Sequence, residues 1–268
     1  MKKLVFQGLL TITLFFTILF VLNQIDWMRI LKAEQVSQTV DKKLGELYWE
    51  LFSESEEEIE NISITSAIDS ILTEICNSNY IDKNKIKLHI LENNEINAFA
   101  LPDGHIVIYS GLILASESEA EFCGVLCHEI AHIELNHVMK KLIKEVGLST
   151  LLSMTTGSNG VEILNESAKL LSSNAYDRKL EREADAEAVN FLIKSKIDPE
   201  SFATFLFRLK NNSKEGNIME LAWINTHPNI EERVNNIIKQ RDSFAASNKP
   251  ILSNETWMNI KVLLENDH

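Results

Sequence analysis

Read by its apolar and polar positions, the chain opens on a run without charge, continues through short alternating segments and ends in helical periods. Residues 4 to 25 carry no ionisable side chain, and about 20 apolar residues suffice to cross a bilayer as a helix. Lys2 and Lys3 precede the run, which predicts an N-terminus kept in the cytoplasm with the remainder outside. Trp27 suits the interface, and no convincing small-residue cleavage site follows, so an uncleaved anchor is expected ahead of a removed signal peptide. Ile86, Leu88 and Ile90 alternate with Lys85, Lys87 and His89, the period of a half-buried strand. Ala98 to Leu101 and Ile106 to Tyr109 predict two further strands around a turn at Pro102, Asp103 and Gly104. Downstream, Asp198 and Pro199 mark a helix start ahead of the stripe Phe202, Phe205, Leu206 and Leu209. Residues 145 to 175, interrupted by Gly157-Ser158-Asn159-Gly160, are the least readable stretch and could cover a cleft.

One segment departs from amphipathic spacing. From Phe122 to Ile133 the strongly polar side chains are His128, Glu129 and His132, in an otherwise apolar run. A helix apolar nearly all round is a buried one. Ser116 and Glu119 are spaced as a capping box at its start. Two histidines four apart lie one above the other on a helix face, so both imidazoles can reach one ion. Glu129, beside the first, is then placed to act as base towards a water on that ion. Burying these groups unpartnered would cost about 2–7 kcal/mol each, which a metal would offset.

The third ligand separates the possibilities. A histidine six residues after the second, with a glycine between, is excluded, because Leu135 and Val138 hold those positions. His137 sits five residues past His132, well round a continuous helix, and reads as a surface residue or one that supports a ligand. In the run Tyr176 to Asp185, Glu181 shares a face with Arg178, Asp185 and Ala188, whereas Glu183 stacks with Glu187 and Lys194 on the solvated side. Glu181 is therefore the expected ligand, and Asp185 is placed to accept a hydrogen bond from a ligand imidazole.

These residues resemble the membrane-associated zinc metallopeptidase family that includes the CaaX prenyl proteases, the heat-shock protease HtpX and the periplasmic protease-chaperone BepA. The likeness rests on Asn97 to Leu112, on the His128-Glu129-Ile130-Ala131-His132 helix, on Glu181 to Asp185 with Arg178 three residues before, and on Thr226-His227-Pro228 followed by Arg233. It covers about residues 60 to 240. Cys123, Cys127 and Asp103 depart from the family's usual residues. The resemblance implies one zinc ion per chain on His128, His132 and Glu181, with Asp185 and Arg178 behind the ligands. It also implies substrate-backbone contacts at Asn97, Ala98 and Phe99, polypeptide substrates, and a role for His227 at the metal, either donating to an oxyanion or filling the fourth position. The fold expected is α+β, a mostly helical, gluzincin-like zincin with a small antiparallel sheet beside the zinc helix. An extended polypeptide could pair with the edge of such a sheet by main-chain hydrogen bonds.

Composition narrows the rest. Nine glycines and four prolines in 268 residues agree with a mainly helical fold, and a net charge of -13 argues against a nucleic-acid partner. Three cysteines make no disulfide framework, and Cys123 and Cys127 read as buried packing residues. The expected organisation is an anchor or signal peptide at 1–26, an acidic linker or helix at 27–60, a metallopeptidase domain at 61–245 and a tail at 246–268. The expected placement is membrane-anchored with the catalytic domain on the periplasmic side, or secreted to the periplasm after cleavage. The expected activity is zinc-dependent endopeptidase action in quality control of envelope proteins, and the rival reading is a chaperone or assembly factor with a latent zinc site.

Overall fold

The computed structural model describes residues 33–156, 161–213, 222–241 and 250–266, together with Gln7, Leu10, Thr13, Leu14 and Thr17. The chain divides into two compact units, Met1–Val40 and Asp41–His268. Every described residue of the first is helical. The expected membrane anchor is corrected at this point, because among the described residues no helix is long and apolar enough to cross a membrane. Lys2, Lys3, Trp27 and all of residues 4 to 25 but the five just named lie outside the described residues. The anchored, periplasm-facing placement therefore does not stand.

Helix α1 is Ala33–Ser55, and its part in the larger unit, from Asp41 on, buries Leu44, Tyr48 and Phe52 at a four-residue spacing that puts all three on one face. Helix α2 (Ile62–Asn79) starts where the Asn61 side chain accepts from the Ser63 amide, and it buries Ile64, Ile68, Ile71, Leu72 and Ile75. Strands β1 (Lys87–Leu91), β2 (Ala98–Ala100) and β3 (His105–Tyr109) follow. Their order is β1-β3-β2, with β2 antiparallel to β3 but β1 parallel to it. The expected antiparallel sheet is thus mixed. Alternation identifies strands but not directions, and only the β2–β3 hairpin is set by a local turn. That turn needs backbone that L side chains rarely adopt: Asp103 has φ 58° and Gly104 φ 72°, and a Cβ on Gly104 would lie 1.8 Å from the Lys85 carbonyl oxygen. Aspartate tolerates the left-handed region, so Asp103 can replace a glycine there.

Helix α3 (Ser110–Ala115) leads into helix α4 (Glu119–Glu134), the buried axis of the unit; every residue from Phe122 to His132 is buried. Its cap is Ser118, whose side chain accepts from the Glu121 amide, while the Glu121 carboxylate accepts from the Glu117 amide. The capping pair therefore lies two residues beyond Ser116 and Glu119. Glu119 instead accepts from the amides of Ile251 and Leu252, and Ser116 donates to the Leu112 carbonyl. Helices α5 (His137–Glu145), α6 (Leu148–Thr155), α7 (Val161–Ser173), α8 (Arg178–Lys194), α9 (Glu200–Ser213), α10 (Ala222–Thr226), α11 (Ile230–Arg241) and α12 (Asn254–Asn266) complete the unit. Residues 157–160 lie outside the described residues.

Helix α4 packs against α8, α9 and β2. Ala184, Ala188, Phe191 and Leu192 supply the buried face of α8, and Phe202, Phe205, Leu206 and Leu209 that of α9. Gly124 sets the approach of α4 and α9, since a Cβ there would lie 2.5 Å from the Phe202 Cβ. Cys76, Cys123 and Cys127 are free thiols in the interior, and burial pushes the Cys127 thiol far up, which suits packing rather than reactivity. Helix α12 buries Trp257, Ile260 and Leu264 and packs on α2 and α3.

Candidate metal centre

Helical spacing alone brings His128 and His132 together. Their Nε2 atoms face one another at 3.0 Å. Helix α8 adds Glu181, with Oε1 3.4 Å from His132 Nε2 and Oε2 3.7 Å from His128 Nε2. The turn after α10 adds His227, whose Nδ1 lies 3.2 Å from His128 Nε2 and 2.9 Å from Glu181 Oε1. One ligating atom from each of these four residues lies within 4.8 Å of all the others, and all four are buried. Metal–nitrogen bonds of about 2.0–2.1 Å in a tetrahedron put ligand atoms roughly 3.3 Å apart. The observed spacings bracket that value, and so the donor set fits one small divalent ion.

The far sides of the rings are held as well. His128 Nδ1 is 3.0 Å from Asp185 Oδ1, and Asp185 in turn accepts from the Arg233 guanidinium at 2.8 and 2.7 Å. Arg233 also donates to the His227 carbonyl oxygen at 3.0 Å and lies 3.3 Å from Glu181 Oε2. His132 Nδ1 faces His137 Nδ1 at 3.1 Å, and His137 Nε2 lies 3.4 Å from Glu183. These contacts fix tautomer and ring orientation behind the ligands.

The base candidate is enclosed. The indole N–H of Trp223 donates to Glu129 Oε1 at 3.1 Å, His227 Nε2 lies 3.5 Å from the same oxygen, and Glu129 Oε2 has no hydrogen-bond partner among the described residues. Burial pushes the Glu129 carboxyl up to about 7, a value suited to exchanging a proton near neutrality. Burial also drives His132 down to about 3 and His227 down to about 4, so both rings are neutral, as ligands must be. For Glu181, burial acts upward but is outweighed by His227 and Arg233, which hold the carboxyl well below the usual range. Asp185 is likewise held ionised, with burial outweighed by Arg233 and His128.

Most residues singled out in the sequence meet here, and some do not. Glu181 rather than Glu183 joins the cluster, as its helix face predicts; Glu183 is partly exposed. His137 is not a surface residue but fully buried, because the helix breaks at Asn136, φ 55°, and turns the ring back onto His132. Arg178 is exposed at the start of α8, and the place behind the ligands belongs to Arg233, so that expectation is corrected. Asn97, Ala98 and Phe99 are all buried. Asn97 Nδ2 donates to the Ser172 carbonyl of α7, and the neighbouring Ile96 carbonyl accepts from the Trp223 amide, so this side of β2 is covered. Trp223, Tyr176 and Lys141 were invisible as site residues. Tyr176 lies with its ring 4.2 Å from that of His132, and Lys141 stands 3.9 Å over the Tyr176 ring. A buried lysine is a signal only once burial is known: its amine is pushed down to about 8 by the same enclosure.

Comparison with known proteins agrees with this geometry. The peptidase family M48 profile matches residues 63–241. Among curated relatives, the Vibrio cholerae putative beta-barrel assembly-enhancing protease is 25% identical over 210 residues, 73% of this chain and 43% of that protein. The Escherichia coli beta-barrel assembly-enhancing protease is 25% identical over 206 residues, 72% and 42% of the two chains. The Bos taurus mitochondrial metalloendopeptidase OMA1 is 26% identical over 228 residues, 74% and 44%. The chain thus spans less than half the length of these relatives.

Proposed function

The chain belongs to peptidase family M48, and from that premise we propose that it is a zinc-dependent endopeptidase with its site on His128, Glu129, His132 and Glu181. The observation that carries this reading is the convergence of three imidazoles and a carboxylate, with ligand atoms all within 4.8 Å of one another, beside a buried glutamate raised to about 7. When bound, zinc supplies a Lewis acid that polarises a carbonyl and acidifies water. The protein does the rest. Glu129 takes the proton of the attacking water through its carboxylate and returns it to the leaving amine. Asp185, Arg233 and His137 hold the imidazoles in one tautomer so that no reorganisation is needed during reaction. His227 would supply the fourth ligand to a bound ion in this closed arrangement, a reading supported by its 2.9 and 3.2 Å approaches to Glu181 and His128.

The finer reading is quality-control proteolysis of misfolded or mislocalised cell-envelope proteins, supported by relatives named for beta-barrel assembly enhancement. Full burial of the cluster favours a second reading, an assembly factor or chaperone whose metal site is latent. Digestion of β-casein with and without chelator separates them. A peptidase degrades casein only with metal, and Glu129→Gln keeps zinc but loses degradation; full activity of that variant refutes the general-base role. Metal-independent suppression of aggregation without cleavage supports the second reading.

A further inference from the structure

Nine buried side-chain nitrogen or oxygen atoms lack a hydrogen-bond partner among the described residues, and five belong to the metal cluster or its immediate neighbours. Three of the five face a charged or ligating group: His137 Nε2 lies 3.4 Å from Glu183, His227 Nε2 3.5 Å from Glu129, and Glu181 Oε2 3.7 Å from His128 Nε2. The other two, Glu129 Oε2 and the Tyr176 hydroxyl, have neither a hydrogen bond nor an ion pair among the described residues. One is an acceptor and the other a donor. Burying a hydroxyl without an acceptor costs about 1–3 kcal/mol, so such a group beside a metal cluster calls for an acceptor that a bound molecule can supply.

We propose that Tyr176 is a further catalytic residue, whose hydroxyl donates a hydrogen bond to the scissile carbonyl oxygen as that oxygen becomes an oxyanion. The inference rests on the peptidase reading and extends it. The ring is fixed in place: it packs 4.2 Å from His132 and stacks at 14° on His227, its amide donates to the Thr226 carbonyl at 3.2 Å, and Lys141 sits over it. His227, the rival donor, spends Nδ1 on the ligand cluster. The step balances. Water oxygen bonds to the carbonyl carbon and gives its proton to Glu129, while the carbonyl π pair moves onto oxygen, where the Tyr176 O–H stabilises it without transferring its proton. Collapse breaks the C–N bond, and the amine leaves with the proton from Glu129. A preorganised donor of this kind contributes most to the transition state, not to ground-state binding.

The test compares His227→Ala with His227→Ala/Tyr176→Phe, so that the fourth position is open in both full-length, zinc-loaded chains. Phenylalanine keeps the ring and removes the donor. Expected is a fall in kcat of about 10²–10³ with KM little changed, zinc stoichiometry unaltered, a melting temperature raised because an unpartnered buried hydroxyl is gone, and a comparable loss of affinity for a phosphinic pseudo-hexapeptide, measured by calorimetry. Equal kcat and equal phosphinate affinity in the two chains overturn the Tyr176 assignment alone. Failure of both chains to bind the phosphinate or cleave casein overturns the peptidase reading, and this inference falls with it.

Discussion

Substituting alanine for Gly124 places two known effects in opposition, and the structure decides between them. Glycine inside a helix costs about 0.5–1 kcal/mol relative to alanine, so propensity alone predicts that Gly124→Ala stabilises α4. Against this, the added Cβ meets Phe202 Cβ at 2.5 Å and its Cγ and Cδ2 at 2.7 Å, all below van der Waals contact. Phe202 is itself fully buried, on a helix packed against both α4 and α11, and therefore has no free space into which to swing. Overpacking of this kind costs typically 1–3 kcal/mol. The difference leaves a net loss of about 1–2 kcal/mol, or roughly 2–8 °C in melting temperature for a unit of this size. Because α4 carries His128, Glu129 and His132, forcing it away from α9 also shifts ligands held by α8, and zinc affinity falls in parallel. The assay is urea unfolding of the metal-free protein with a zinc titration beside it. Gly124→Ala/Phe202→Ala removes the Cγ and Cδ2 contacts and leaves only the one with Cβ, so the double-mutant cycle shows a favourable coupling of about 1 kcal/mol. A Gly124→Ala protein more stable than the parent, or additivity in the cycle, refutes the close packing of α4 on α9.

Other expectations follow from the cluster. Glu181→Ala loses zinc and activity while Glu183→Ala stays close to the parent, read by metal content after gel filtration; zinc retained in the first and lost in the second reverses the assignment. His227→Ala raises casein turnover and changes the visible spectrum of the cobalt-substituted protein, because a ligand leaves the fourth position; a fall of about 10²–10³ in kcat assigns it to the oxyanion instead. For pH, burial has lowered His132 to about 3 and His227 to about 4, both below the ordinary 6.5. A ligand with a depressed pKa keeps its lone pair as pH falls through 6.5, so zinc stays bound at pH 5.5 and is released approaching pH 4. Release centred on pH 6.5 in a chromophoric-chelator assay contradicts that.

What the sequence determined by itself is what repeats at short range. The i, i+4 spacing of His128 and His132 and the apolar run around them were enough to specify a buried ligand pair, because 3.6 residues per turn is a local property. The same periodicity distinguished Glu181 from Glu183 on α8, and period-two alternation found β1, while β2 and β3 were read from apolar runs on either side of a turn. Local turn chemistry placed the β2–β3 hairpin at Pro102 to Gly104. The tertiary structure alone decided which distant groups close around these. Trp223 reaches Glu129 across 94 residues and Arg233 reaches Asp185 across 48, and no periodicity in sequence encodes such an approach. The break at Asn136 turned His137 inward where a continuous helix would have carried it away. The direction of β1 was set by where the chain crosses the sheet, and Arg233 took the place expected of Arg178 because a buried pair of carboxylates needs a buried cation, whichever helix supplies it. Chemistry carried by one turn of helix is legible from a line of letters; chemistry assembled from four helices and a loop depends on how their faces pack.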